Sequence, residues 1–194
     1  RALKNVYRGI EFEDEIVPLY YHCLFDLDSR APSIDTALHG LLPFKHIDHL
    51  HPDALISVAA AKDSKTITKE IWGDTMGWVP WQRPGFDLGL QLEKCLAENP
   101  GIRGIVLGGH GLFTWGDTSI DCYQNSLEVI EMASEFIENK IKENGSVFGG
   151  QKVTSLPEKE RKEKAAQLMP LLRGLCSSEA RMIGHFNDSD VVLE

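Results

Sequence analysis

At 194 residues, with 42% apolar and 25% charged content, the chain is long enough for one domain with a substantial core and has the composition of an ordinary globular protein. Its net charge of −9 disfavours nucleic acid or an anionic membrane surface as a partner, because neither is attracted to acidic protein. There is no apolar run of the ~18 residues that a membrane-spanning helix needs, and Arg1-Ala-Leu-Lys-Asn lacks the apolar centre of a signal peptide.

Arg1 to Ile16 is charged and weakly amphipathic, and reads as a helix. Val17 to Leu27 is rich in β-formers and predicts a strand with Pro18 near its start. After a loop at Asp28 to Ser33, Asp35 offers an N-cap for a short helix ending near Gly40. A strand is expected from Lys45 to Asp53, then a helix from Ala54 with Pro52 in its first turn. Lys65 to Trp72 reads as a connector or short helix, and Gly77 to Trp81 as an edge strand. Phe86 to Glu98 carries an amphipathic pattern stopped by Asn99-Pro-Gly. Ile105 to Leu107 and Leu112 to Trp115 are short hydrophobic strands around a glycine-rich turn.

Asp117 or Thr118 caps the strongest helical pattern, Asp121 to Lys142, whose expected apolar face includes Ile120, Leu127, Ile130 and Ala133. Gly145 to Thr154 is a break. A final helix starts at Pro157 and should kink or end at Pro170, with Ala165, Leu168, Met169, Leu171 and Leu172 on its apolar side. Val191-Val-Leu in the tail is strand-like. Cys23, Cys95, Cys122 and Cys176 are widely spaced without a C-x-x-C pair. They read as reduced thiols, mostly in buried packing, of a cytoplasmic protein.

The chemistry concentrates in Lys45-His-Ile-Asp-His-Leu-His-Pro-Asp53. These nine residues hold three of the chain's seven histidines and two carboxylates. On a strand, His49 and His51 share a face with Cα atoms roughly 6.5 Å apart, a workable span for two imidazoles on one metal ion. On a helix the two rings would diverge by roughly 200°. Pro52 disfavours helix at His51. His110, in the turn between two strands, is the best third ligand. Three neutral imidazoles leave an open position, as at catalytic zinc, although Co²⁺, Ni²⁺ and Mn²⁺ also suit nitrogen ligands. His46 and Asp53 compete, His46 with the wrong strand parity for His49. His22, His39 and His185 read as hydrogen-bonded or surface histidines. The glycines around His110 make a poor dinucleotide loop, because a histidine fills the turn and the third glycine falls too late.

Three ordered blocks, Pro32-Ser-Ile-Asp-Thr36, His49-Leu-His51-Pro52 and His110-Gly-Leu-Phe-Thr-Trp-Gly116, resemble the class II aldolase/adducin family over roughly residues 30 to 142. Their wording is most similar to the aldolase half of bacterial bifunctional rhamnulose-1-phosphate aldolase/alcohol dehydrogenase proteins. The resemblance implies an α/β fold, a three-layer αβα sandwich around a mainly antiparallel sheet. Residues 1–150 would form the aldolase-like domain and 151–194 a helical linker and tail before a dehydrogenase domain in the full-length protein. It implies Zn²⁺, or another divalent metal, on His49, His51 and His110, with Asp35 as the proton-transfer residue. The reaction implied is retro-aldol cleavage of rhamnulose 1-phosphate to dihydroxyacetone phosphate and lactaldehyde by a homo-oligomer, a tetramer in the family. The family's upstream phosphate loops have no counterpart in residues 1–31, so a partial domain is expected. A pentulose-phosphate 4-epimerase or a non-catalytic adducin-like module are the alternatives.

Overall fold

The computed structural model describes residues 1–26, 28–145, 153–189 and 192. It divides into two compact units, Arg1–Glu138 and Asn139–Glu194.

The first unit is built on a sheet of four strands, β1 (His46–Leu50), β2 (Met76–Val79), β3 (Gly104–Leu107) and β4 (Gly111–Gly116), ordered β1-β4-β3-β2. β4 runs antiparallel to both its neighbours, and β2 is parallel to β3. Side chains alternate between the two faces of a strand. Ile105, Leu107, Phe113 and Trp115 thus meet α1 (Thr36–Leu41) and α4 (Phe86–Glu98) through Leu38, Leu88 and Leu92. Val106 and Leu112 meet the other layer, formed by α2 (Asp53–Ala59), α3 (Ser64–Trp72) and α5 (Ser119–Asn144), through Leu55, Val58, Trp72, Val129 and Ala133. This is the expected three-layer α/β sandwich around a mainly antiparallel sheet.

The helix expected over Arg1 to Ile16 is two short 3₁₀ segments, Ala2–Asn5 and Ile10–Glu15. The strand expected from Val17 is a third, Val17–Cys23; Leu27 lies outside the described residues. Tertiary burial decides against the β-propensity here. A helical turn puts Ile16 and Tyr20 together in a cluster with Ala37, Leu41 and Phe86. From the same segment, Glu13 is buried, and its Oε1 accepts the backbone N–H of Asp87 in the first turn of α4.

α5 opens on a capping box: the Thr118 Oγ1 accepts the Asp121 N–H, and the Asp121 carboxylate accepts the Thr118 N–H. Its buried stripe is Cys122, Ser126, Val129 and Ala133, whereas Ile120 and Leu127 are exposed. Ala133 of the expected face is buried and Ile130 and Met132 pack against the core, but the stripe nearest the sheet is small because the helix lies too close for large residues there. At Gly116 an added Cβ would stand 2.4 Å from the Cys122 backbone nitrogen. Ser126 completes a polar bridge across the layers, 2.7 Å from the Thr114 hydroxyl and donating to Asp48 Oδ2 at 2.8 Å.

In the second unit, α6 (Glu158–Cys176) continues through Pro170 rather than ending there, and none of its residues is buried; of its expected apolar side Leu168, Leu171 and Leu172 are exposed and Ala165 and Met169 half-buried. Most of the break at Gly145 to Thr154, and the strand expected at Val191-Val-Leu apart from Val192, lie outside the described residues. Cys95 and Cys122 are buried, but Cys23 and Cys176 are exposed, so burial accounts for only half of the cysteines. No described helix is long and apolar enough to cross a membrane.

Gly116→Ala is expected to destabilise the first unit by about 1–3 kcal/mol, because the added methyl meets helix backbone that cannot rotate away. Urea denaturation followed by tryptophan fluorescence reads this out, and an unchanged midpoint would contradict the close α5 packing.

Candidate metal centre

His49 lies in β1 opposite Phe113 of β4, and the two rings stack at 4.3 Å and 9°. Its Nδ1 is 3.0 Å from the Leu112 carbonyl oxygen. A carbonyl only accepts, so Nδ1 carries the proton and Nε2 keeps a free lone pair. That Nε2 is buried with no hydrogen-bond partner. A backbone carbonyl on the remote ring nitrogen is the support that orients and activates a metal-ligating histidine.

His51 stands just past the end of β1, its ring centroid 4.5 Å from that of His49. The ring lies directly over Gly111, where a Cβ would come 2.7 Å from His51 Cδ2 and 2.8 Å from the Leu50 carbonyl oxygen. Glycine is required there by close approach.

His110 occupies the β3–β4 turn. Gly108 N–H bonds the Val79 carbonyl at 2.8 Å, Gly109 N–H the Ala59 carbonyl at 2.7 Å, and His110 N–H the Leu107 carbonyl at 3.0 Å. Gly109 has φ 67°, the left-handed conformation that favours glycine. The turn is thereby pinned to β2, to the end of α2 and to β3. The His110 ring stacks on His51 at 5.1 Å and meets His49 edge-on at 5.0 Å, and its Nδ1 is a second buried nitrogen without a partner.

One ligand nitrogen from each of His49, His51 and His110 lies within 4.8 Å of the others. His49 and His110 are half-buried and His51 is exposed, which leaves one side of the cluster open to a reactant. Burial pushes the His49 and His110 pKa values below the ordinary histidine range, which favours the neutral imidazoles that ligation needs. Two partnerless buried nitrogens, a fixed tautomer and a ring on bare backbone together fit a divalent cation.

Asp35 occupies the N-cap position of α1 but makes no capping hydrogen bond. Its Oδ2 accepts from the Ser33 hydroxyl at 3.3 Å, and its Oδ1 is buried without a partner. The Asp35 charge acts on both His49 and His110, raising their proton affinity against the effect of burial. Asp35 and His49 also line one cavity. His46 and Asp48 project from the face of β1 opposite to His49, and Asp48 is engaged by Ser126. Asp53 is exposed at the start of α2. His39, which the sequence reads as a hydrogen-bonded or surface histidine, lines a cavity with Asp35 and His49, its ring 5.4 Å from that of Phe113.

Residues 10–137 match the class II aldolase and adducin N-terminal domain family. "Uncharacterized oxidoreductase YuxG" of Bacillus subtilis (strain 168) is 42% identical over 182 residues, covering 94% of this chain and 26% of that protein. The methylthioribulose-1-phosphate dehydratase of Methylococcus capsulatus (strain ATCC 33009 / NCIMB 11132 / Bath) is 28% identical over 123 residues, 54% of this chain and 60% of its own. The chain therefore spans less than two thirds of either curated relative. Among solved structures, the N-terminal class II aldolase domain of a conserved protein from Thermoplasma acidophilum superposes with a TM-score of 0.63 at 29% identity. That match covers 70% of this chain and 62% of that one.

Gly111→Ala should lower zinc affinity at least about tenfold by displacing the His51 ring, with the fold retained, and His110→Ala should abolish stoichiometric zinc. Elemental analysis after dialysis measures both. Zinc retained by His110→Ala as tightly as by the unaltered chain would exclude the three-histidine site.

Proposed function

Because the chain belongs to the class II aldolase and adducin N-terminal domain family, we propose that it is a metal-dependent aldolase acting on a ketose 1-phosphate. The preferred substrate is rhamnulose 1-phosphate, and the products are dihydroxyacetone phosphate and lactaldehyde. The observation that carries this reading is the histidine trio with its partnerless nitrogens and open side. A non-catalytic module has no use for such a cluster, which weighs against the adducin-like alternative.

His49, His51 and His110 would hold the ion, zinc being the first choice for three imidazoles. Bound there, a divalent ion supplies Lewis-acid stabilisation of the negative charge that develops on substrate oxygens, an effect worth several kcal/mol. The chain's own residues do the rest. The Leu112 carbonyl fixes the His49 ring, and the pinned turn fixes His110, so the geometry is set before substrate arrives. Asp35, whose Oδ1 has no partner and which lines one cavity with His49, takes or returns the proton at the substrate carbon left electron-rich when C3–C4 breaks. Ser33 donates to its other oxygen and holds the carboxylate in place.

Residues 1–150 are assigned to catalysis and 151–194 to a helical linker and tail, in a cytoplasmic homo-oligomer. A second reading has one observation in its favour, the relative named methylthioribulose-1-phosphate dehydratase. Elimination of water from a phosphorylated ketose would use the same metal cluster. The 4-epimerase alternative shares the retro-aldol step and differs in recombining the fragments.

With purified protein and rhamnulose 1-phosphate, dihydroxyacetone phosphate should form, stop on chelation and resume with zinc. Asp35→Asn should cut turnover by about 10²–10⁴-fold without loss of bound zinc. Cleavage that resists chelator, turnover of pentulose phosphates alone, or elimination without C–C cleavage would each overturn the assignment.

A further inference from the structure

The short 3₁₀ segments at the N-terminus form a strap whose side chains fasten to α4 and to the residues just ahead of it. Lys4 pairs with Glu93, the Tyr7 hydroxyl donates to Asp87 Oδ1 at 3.4 Å, and Asp14 pairs with Arg83. The deepest tie is Glu13, 2% exposed, whose Oε1 accepts the Asp87 N–H at 2.9 Å. α4 begins after Gly85, which has no side chain to cap it, so its cap comes from a carboxylate 74 residues before Asp87. The fit is close. At Gly85 a Cβ would stand 2.2 Å from Glu13 Oε1 and 2.6 Å from its carboxyl carbon. The other oxygen, Oε2, is buried without a partner, a cost that a local serine or aspartate cap would avoid.

α1 depends on this arrangement. Its six residues are too few to hold a helix unaided, and Asp35 at its N-cap position makes no capping hydrogen bond. What it leans on therefore places it. At Gly89 of α4 an added Cβ would come 2.9 Å from Leu41 Cδ1 and 3.2 Å from the Ala37 carbonyl, so the helices meet almost backbone to backbone. From the strap, Ile16 and Tyr20 bury against Ala37 and Leu41 of α1 and Phe86 of α4. The Leu38 and His39 N–H groups donate to the Asp35 carbonyl at 2.9 and 3.3 Å, which ties residue 35 to the helix it precedes. The histidines have other supports: Phe113 and the Leu112 carbonyl hold His49, and the pinned turn holds His110. Histidines and carboxylate rest on separate foundations.

We propose that Glu13 is a positioning residue: capping α4 from the strap, it fixes where α1 lies and, through α1, where the Asp35 carboxylate stands. The role rests on the reading of Asp35 as the proton-transfer residue. Proton transfer needs donor and acceptor within hydrogen-bond reach, so a small shift of α1 costs rate while the histidine cluster stays assembled.

The test uses the zinc-loaded 194-residue chain, rhamnulose 1-phosphate as substrate, and a double-mutant cycle with Asp35→Asn. Glu13→Ala should lower kcat about tenfold or more with KM and bound zinc unchanged. Glu13→Gln, whose amide oxygen can accept the same N–H, should recover most of that loss. On the Asp35→Asn background Glu13→Ala should cost less than about twofold, because the group it positions is already gone. An equal loss on both backgrounds, or an unchanged kcat in Glu13→Ala, overturns the role. Should Glu13→Ala not fold, Glu13→Asp, a carboxylate one methylene short of the Asp87 N–H, carries the same expectations. Hydrogen exchange reads the brace without turnover: the Leu38 and His39 amides should exchange about tenfold faster or more in Glu13→Ala, with β4 unchanged. Exchange equal to that of the unaltered chain overturns the brace whatever the substrate. An Asp35→Asn protein that turns over normally, with α1 exchange still governed by Glu13, sinks the proton-transfer reading and spares the brace.

Discussion

The cross-strand register of β1 and β4 is the constraint on which the rest depends. Pairing His49 with Phe113 and Leu50 with Leu112 does three things at once. It lays the imidazole flat on an aromatic ring, brings the Leu112 carbonyl under Nδ1, and carries β1 to its end where His51 meets Gly111. A slip of one residue would turn His49 to the α5 side of the sheet, where Asp48 now projects, and no side-chain adjustment could restore the cluster. Register is therefore part of the chemistry.

The opposite face of the same strands secures that register. Asp48 and Thr114 are partners across β1 and β4, and both meet the hydroxyl of Ser126 from α5. Thr114 and Ser126 are buried and Asp48 half-buried, and a polar trio whose members satisfy one another specifies a unique alignment more sharply than apolar packing does, since any shift strands a polar group. The two faces divide their labour, with histidine and aromatic rings on one and a directional polar clamp on the other. The clamp explains why small residues, Cys122 and Ser126, occupy the α5 stripe.

Much of this was legible in the sequence. The bounds of α4 at Phe86–Glu98, the strand through His49 and the turn around His110 followed from periodicity and punctuation, because local pattern and tertiary demand agree there. The N-terminal segment was misread because its β-formers serve as anchors to α1 and α4, a demand that exists only in three dimensions. On α5 the eye follows large apolar residues, whereas proximity to Gly116 selects small ones. At the site, residue type and spacing singled out the three histidines whose ring nitrogens the structure gathers. The fixed tautomer of His49, the freedom of Asp35 from capping and the place of His39 depend on atoms brought together from distant segments, and no spacing rule reports them.

β1 lies at one edge of the four-stranded sheet, as β2 does at the other. Rim strands exchange with solvent through local openings that cost less than unfolding the whole domain. The lifetime of the intact histidine cluster is then governed by fraying of one margin rather than by global stability. A protein can gain melting temperature through its central strands and still hold such a cluster only briefly, and whatever ties down the outer side of β1 would lengthen its life without touching a histidine.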